Sequence, residues 1–211
     1  MKPKEILVFG ATGNIGRSLI RKFTKNNYKV VAVTRNIHQK GFQLKTQANP
    51  GYLELVELKS LDEAKIKHLF NSCSVCINLI GILYEKNKGQ FNKIHSVLPN
   101  ILSKIAKEKK IDQFIHVSAL GVENASNSVY AKSKLDGENN VKKNFKNSLI
   151  LKPSIVYGID DNFTTNFMSL LSKLPIMPLY YNGETKFVPI HVSDLAEIIY
   201  QMISKEIKNE T

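Results

Sequence analysis

A glycine-rich turn, Gly10-Ala11-Thr12-Gly13-Asn14-Ile15-Gly16, separates the apolar run Ile6-Leu7-Val8-Phe9 from an amphipathic stretch that starts at Asn14. Such a turn needs glycine for three separate reasons: positive φ, close approach of bare backbone to a ligand, and tight packing of a helix on a strand. The helix start offers free N–H groups and the positive end of the helix dipole, which together make an anion site. Three glycines alone are a weak signal, because glycine also ends strands in ordinary loops. Context strengthens it: a strand precedes, a helix follows, and a second apolar run, Lys29-Val30-Val31-Ala32-Val33, lies where a parallel neighbour belongs.

Short β-rich runs alternate with longer amphipathic segments along the rest of the chain, the pattern of βαβ units. It predicts strands at 5–10, 29–34, 52–57, 74–80, 113–118 and 148–152, and helices near 14–26, 61–71, 90–110, 128–144 and 193–204. The expected architecture is α/β: a Rossmann-type doubly wound parallel sheet with helices on both faces, as one domain over residues 1–211. Ser60 and Glu63 have capping-box spacing ahead of the third-strand helix. Pro99 should kink or split the 90–110 segment. The stretch 153–187, with Pro153, Pro175, Pro178 and Gly183, breaks the alternation and reads as a substrate-side excursion. Phe163, Phe167, Tyr180 and Tyr181 within it suit a substrate or partner surface and core packing equally well.

The second strand ends in Thr34-Arg35-Asn36. A carboxylate at this place would grip the two ribose hydroxyls of NAD(H); a guanidinium instead suits the 2′-phosphate of NADP(H). The chain spends only three arginines, at 17, 21 and 35, among 30 basic residues, so Arg35 points to NADP(H) in preference to NAD(H). Lys40 adds charge nearby, and an ordinary exposed cation is the competing reading.

Net charge is +12, but lysine supplies it over scattered helix faces, without the arginine–aromatic stripe that stacks bases. Nucleic acid is therefore set aside, while docking on an acidic protein or a membrane surface stays open. Cys73 and Cys76 form a C-x-x-C that enters a buried strand, with no second ligand pair for zinc, so buried reduced thiols are expected. His38, His68 and His95 lack ligand spacing, and no metal is expected; His116 reads as a core histidine and His191 as part of the final helix entry, bonding Asp194. The longest apolar run, Val75 to Leu83, is too short to span a bilayer. The first strand starts too early to leave room for a signal peptide, which gives a cytoplasmic expectation.

Tyr130 and Lys134 lie four apart on a helix that follows the fifth strand, Gln113 to Ser118, so they share one face. An ammonium beside the phenol would favour phenolate, and the same amine could hold a cofactor ribose. With these residues the chain resembles the short-chain dehydrogenase/reductase superfamily in its extended and atypical branches. The resemblance rests on Gly10, Gly13 and Gly16; on Ser118 with Tyr130 and Lys134; on Lys152 to Gly158; and on Val188 to Ala196. Ile77 to Gly81, Leu98 to Ile101 and Phe114 to Ser118 are similar to the group that contains nucleotide-binding accessory subunits of respiratory complex I and their bacterial relatives.

The resemblance implies that Gly10, Thr12, Gly13, Asn14, Ile15 and Gly16 form the pyrophosphate turn and that Arg35 reads the 2′-phosphate. Glu57 and Leu58 would lie near adenine; Leu79, Ile80 and Gly81 near the riboses; Pro153 to Ile155 near the nicotinamide. Ser118, Tyr130 and Lys134 would be the catalytic set, with Tyr130 and Lys134 also touching the cofactor. Two departures stand out. Ala119 occupies the place where active extended members carry a second hydroxyl, and the chain stops at Thr211 with little C-terminal substrate domain. Two functions follow: an NADP(H)-holding accessory component, peripheral on an inner-membrane respiratory complex, or an NADPH-dependent reductase or epimerase acting on a small carbonyl, sugar-nucleotide or quinone-related substrate.

Overall fold

A computed structural model describes residues 5–209 except 126, 160, 174–181, 183 and 185. Six parallel strands form one sheet in the order β3-β2-β1-β4-β5-β6. They are β1 (Glu5–Phe9), β2 (Lys29–Thr34), β3 (Leu53–Glu57), β4 (Cys73–Asn78), β5 (Gln113–Val117) and β6 (Leu149–Leu151). Strand order reverses between β1 and β4, and ligands of open α/β sheets bind outside the carboxyl ends at such a point.

Side chains alternate across the sheet and divide the core in two. Ile6, Val8, Val30, Ala32, Val75, Ile77 and Ile115 pack against Leu19, Ile20 and Phe23 of α1 (Asn14–Lys25) and Leu195, Ile199 and Ile203 of α7 (Val192–Asn209). Leu7, Phe9, Cys76 and Phe114 face Ile66 of α3 (Glu63–Leu69), Leu102 and Ile105 of α4 (Leu98–Glu108) and Val141 of α5 (Val129–Asn144). Burial pushes the Cys73 thiol up to about 12 and that of Cys76 well above its ordinary value, and both are free.

Four expectations change. A helix not foreseen, α2 (Ile37–Lys45), follows β2; the Asn36 side chain caps it by accepting from the Gln39 N–H. Its weak apolar stripe hid it, with only Gly41 and Leu44 buried. The cap of α3 is Asp62, which accepts from Ala64 and Lys65, so Ser60 and Glu63 do not form a capping box. The 90–110 segment does split, but ahead of Pro99: Asn92–Val97 is π-helical, and Pro99 sits in the first turn of α4. A proline has no N–H to give back, so the hydrogen-bond ladder changes register just before it. Finally, the excursion contains α6 (Asn162–Lys173) and β7 (Val156–Tyr157), which pairs in parallel with β8 (Ile190–His191) beyond its end. Tyr180, Tyr181, Pro175, Pro178 and Gly183 lie outside the described residues. No helix among the described residues is long and apolar enough to cross a membrane.

Candidate functional site

The turn after β1 uses each glycine differently. Gly10 has φ +81°, the left-handed region that side chains disfavour. A Cβ at Gly16 would lie 2.5 Å from the Ala11 carbonyl oxygen, so only glycine lets α1 sit this close to the turn. A Cβ at Gly13 would meet nothing nearer than the Gly10 oxygen at 3.4 Å; its bareness leaves space open rather than relieving a clash. Gly13 caps α1 without a side-chain hydrogen bond, and no acidic residue stands in the first turn. The first-turn amides are therefore left for an anion. Asn14 Nδ2 is buried beside them with no partner.

At the neighbouring strand end Arg35 is exposed and makes no bond to any described residue. Glu57 turns its carboxylate back, accepting from the Ile37 N–H at 3.1 Å; that bond and Lys59 hold it below the usual carboxylate range. Its role here is to fix the start of α2 beside Arg35. Leu58 is buried, tied through its N–H to the Thr34 oxygen at 2.8 Å. Both line a cavity of about 450 Å³ under α3 at the sheet edge, away from the glycine turn.

Beyond β4, the Leu79 N–H bonds the Phe9 oxygen and the Ile80 N–H bonds Asn78 Oδ1, which holds 79–81 beside the glycine turn. Asn78 Nδ2 donates to His116 Nδ1 at 3.2 Å, leaving His116 Nε2 as a buried donor without a partner. Ser118 is buried too, and its hydroxyl has no hydrogen-bond partner. Past β6, the Pro153 oxygen accepts from the Leu120 N–H at 3.0 Å and the Ile155 oxygen from the Ile190 N–H at 2.9 Å.

Lys134 reaches in from α5, 5% exposed, and donates to the Val117 oxygen at 3.3 Å. Its Nζ lies 3.3 Å from where a Cβ of Gly81 would be. Burial lowers its pKa to about 8, against the pull of Glu138 one turn along α5. Glu138 is fully buried, with Lys152 Nζ at 3.0 Å from Oε2. No hydrogen bond joins Tyr130 to Lys134. Desolvation raises the Tyr130 phenol, and the expected lowering by the ammonium is not what this geometry produces, because the amine turns to Val117 and Gly81 instead.

What holds Tyr130 is a residue set aside at the sequence level. The His95 ring stands edge-on to Tyr130 with centroids 5.3 Å apart and stacks on Phe91 at 5.4 Å. Its Nε2 accepts from the Ile82 N–H at 3.1 Å, so Nδ1 carries the proton and donates to Ser133 Oγ at 2.9 Å. That hydroxyl donates in turn to the Tyr130 carbonyl at 2.7 Å. Burial, then the Lys134 charge, push His95 down to about 4, which keeps it neutral. The π-helical stretch carries His95 so close to α5 that a Cβ at Gly137 would fall 1.8 Å from its carbonyl oxygen. His191 bonds the Ser193 N–H, not Asp194.

A parallel sheet of this order, a glycine turn at its switch point, and Ser118, Tyr130 and Lys134 at its carboxyl edge define an atypical short-chain dehydrogenase/reductase-type domain. The chain belongs to the NmrA-like family, which it matches over residues 2–210. It is 31% identical to the mitochondrial NADH dehydrogenase (ubiquinone) 1 alpha subcomplex subunit 9 of Arabidopsis thaliana, over 91% of this chain and 48% of that protein. It spans about half the length of such curated relatives. Among solved structures, a dTDP-glucose 4,6-dehydratase from Streptomyces venezuelae with NAD bound superimposes with TM-score 0.76 at 16% identity, over 94% of this chain and 71% of that one. A UDP-glucuronic acid 4-epimerase from Bacillus cereus, complexed with UDP-glucuronic acid and NAD, gives TM-score 0.74 at 21% identity, over 94% and 73%. At such identities these two show the fold.

Proposed function

We propose that the chain holds a nicotinamide dinucleotide, NADP(H) in preference to NAD(H), as the nucleotide-binding part of an accessory component of a respiratory assembly. The observation that carries the reading is the start of α1. It has no side-chain cap and no first-turn carboxylate, Gly13 is bare, and Asn14 Nδ2 is buried and unpartnered. A diphosphate would satisfy all of these donors at once. Gly10, Thr12, Gly13, Asn14, Ile15 and Gly16 would form the cradle, with Leu79, Ile80 and Gly81 beside it and Lys134 against a ribose. Leu58 would lie near adenine, with Glu57 anchoring α2 alongside. Pro153 and Ile155 would border the nicotinamide. Arg35, free of any described partner, would meet the 2′-phosphate.

The accessory role is supported by the name of the Arabidopsis relative. It is supported further by Ala119 after Ser118, and by a Tyr130 phenol that no ammonium bonds. Calorimetry tests the cofactor: NADPH should bind more tightly than NADH, and Arg35→Asp should erase the difference. No heat from either nucleotide would overturn the proposal. Affinity capture from solubilised inner membranes should recover respiratory-complex subunits, and their absence would remove the assembly role.

A catalytic reading draws on the convergence of Tyr130, Lys134 and the unbonded Ser118 hydroxyl. A bound reduced nicotinamide would supply hydride to a carbonyl carbon. Tyr130 would give its phenolic proton to the carbonyl oxygen, Ser118 would donate to that oxygen, and Lys134 would draw up to the phenol as the site closes. Turnover of carbonyl or quinone substrates that Tyr130→Phe abolishes would favour this reading. Cofactor that stays reduced with every acceptor would favour the accessory one.

A further inference from the structure

A second cavity, of about 310 Å³, is lined by Ile155, Tyr157, Phe163, Thr164, Phe187 and Pro189. Its size falls at the lower end of ligand pockets. Ile155 places it next to the Pro153–Ile155 segment at the end of β6, on the substrate side of the site proposed above. None of the described lining residues carries a charge. The carboxylate that joins the lining residue Thr164, Asp161, is buried and engaged: it accepts from the Gly158 N–H at 3.0 Å, the Thr164 N–H at 2.6 Å and the Thr164 hydroxyl at 2.5 Å. Asp161 therefore closes the start of α6, and Thr164 turns its only polar atom away to it. The His191 ring stands edge-on to Tyr157 at 5.2 Å, and its Nδ1 accepts from the Ser193 N–H.

The apolar character continues outward. Phe163, Phe167, Met168, Leu170 and Leu171 of α6 are exposed, as is Phe187, whose ring lies 6.3 Å from that of Phe163. The sequence has no Asp or Glu between Asp161 and Glu184. An apolar surface this continuous marks a binding site. A phosphorylated ligand would leave its charge unmatched against these walls, whereas an uncharged chain loses nothing on entry.

We propose that this cavity holds the uncharged hydrocarbon chain of a ligand whose polar end lies toward Pro153 and Ser118. The orientation rests on the dinucleotide reading; the chemistry of the cavity does not. A sugar nucleotide, the ligand class named for the Bacillus cereus structure, does not fit a wall whose described residues include no cation.

The test is a fluorescence titration of the full chain with N-phenyl-1-naphthylamine, an uncharged apolar probe, beside a separate NADPH calorimetric titration. The probe should bind saturably and be displaced by 2-tridecanone but not by UDP-glucose. Phe163→Glu and Phe187→Glu should each weaken the probe about tenfold or more, with NADPH binding unchanged as the check that both variants fold. Displacement by UDP-glucose, by anionic phosphatidylglycerol vesicles in place of the ketone, or a probe affinity in both variants unchanged from the parent would overturn the inference. Failure of NADPH to bind while the ketone still displaces the probe would sink the dinucleotide proposal and leave this one standing.

Discussion

Lys134 should lower the stability of its own fold at neutral pH. Its ammonium is 5% exposed, and the one hydrogen bond described for it, to the Val117 oxygen at 3.3 Å, is long. Burial takes its pKa from 10.5 to about 8. At about 1.4 kcal/mol per pH unit that drop is worth roughly 3 kcal/mol against folding, a large share of a small domain's stability. The sign follows from proton counting. Below pH about 8 both states hold the proton and the penalty stands in full. Between about 8 and 10.5 the unfolded chain keeps a proton that the folded chain releases, so stability rises with pH across that window. Lys134→Met keeps the length of the side chain and removes the charge, and Glu138 retains Lys152 as a partner. The variant should be more stable than the parent by about 2–3 kcal/mol at pH 7, less what the orphaned Val117 carbonyl costs. The gain should vanish near pH 10.5. Urea denaturation at pH 7, 8.5 and 10 measures this directly. A variant less stable than the parent at every pH, with the same pH slope, would refute the argument and make Lys134 an ordinary structural cation.

Three further outcomes are expected. Gly13→Val should leave the denaturation midpoint nearly unchanged, since its Cβ meets nothing nearer than the Gly10 oxygen at 3.4 Å, yet abolish NADPH heat in calorimetry. Gly137→Ala should destabilise by several kcal/mol, because the Cβ would fall 1.8 Å from the His95 carbonyl and α5 must lift off the π-helical stretch; a shift below about 1 kcal/mol in urea denaturation would contradict that contact. Acid should weaken the fold through two histidines: burial holds His95 down to about 4 and His116 to about 3. The unfolded chain takes up protons below about 6.5 that the folded chain refuses, so stability should fall as pH drops from 6.5 toward 4. His116→Gln should flatten that acid limb, measurable by denaturation between pH 7 and 4.

The parts legible in the sequence were those in which local chemistry and tertiary role coincide. The glycine turn is one, because positive φ at Gly10 and packing at Gly16 are demands that only glycine meets. The doubly wound parallel sheet is another, since alternating strands and amphipathic helices admit few right-handed windings. Where apolar patterning thinned, the reading failed: α2 buries only Gly41 and Leu44, and α6 exposes the phenylalanines and leucines that would ordinarily announce a packed face.

His95 failed for a different reason. Nothing at its own position distinguishes it from a surface histidine on a helix, because its burial is made by two distant features, a register change before Pro99 and a glycine at 137. Together these press the imidazole between Ile82, Ser133 and Tyr130, three segments that share no sequence signal. Asn78 was the clue available, a lone amide at the end of the apolar run Val75-Cys76-Ile77. A buried amide needs partners, and Asn78 finds His116 on the adjacent strand and the Ile80 N–H at the cofactor edge. The polar path from Asn78 through His116, and from Ser133 through His95 to Ile82, therefore borders the same small volume as the Lys134 amine. That volume is bounded by side chains held neutral beside one costly cation. Such a setting fits a site kept for binding a ligand rather than for stability, which is why the pH profile of Lys134→Met is the first measurement to make.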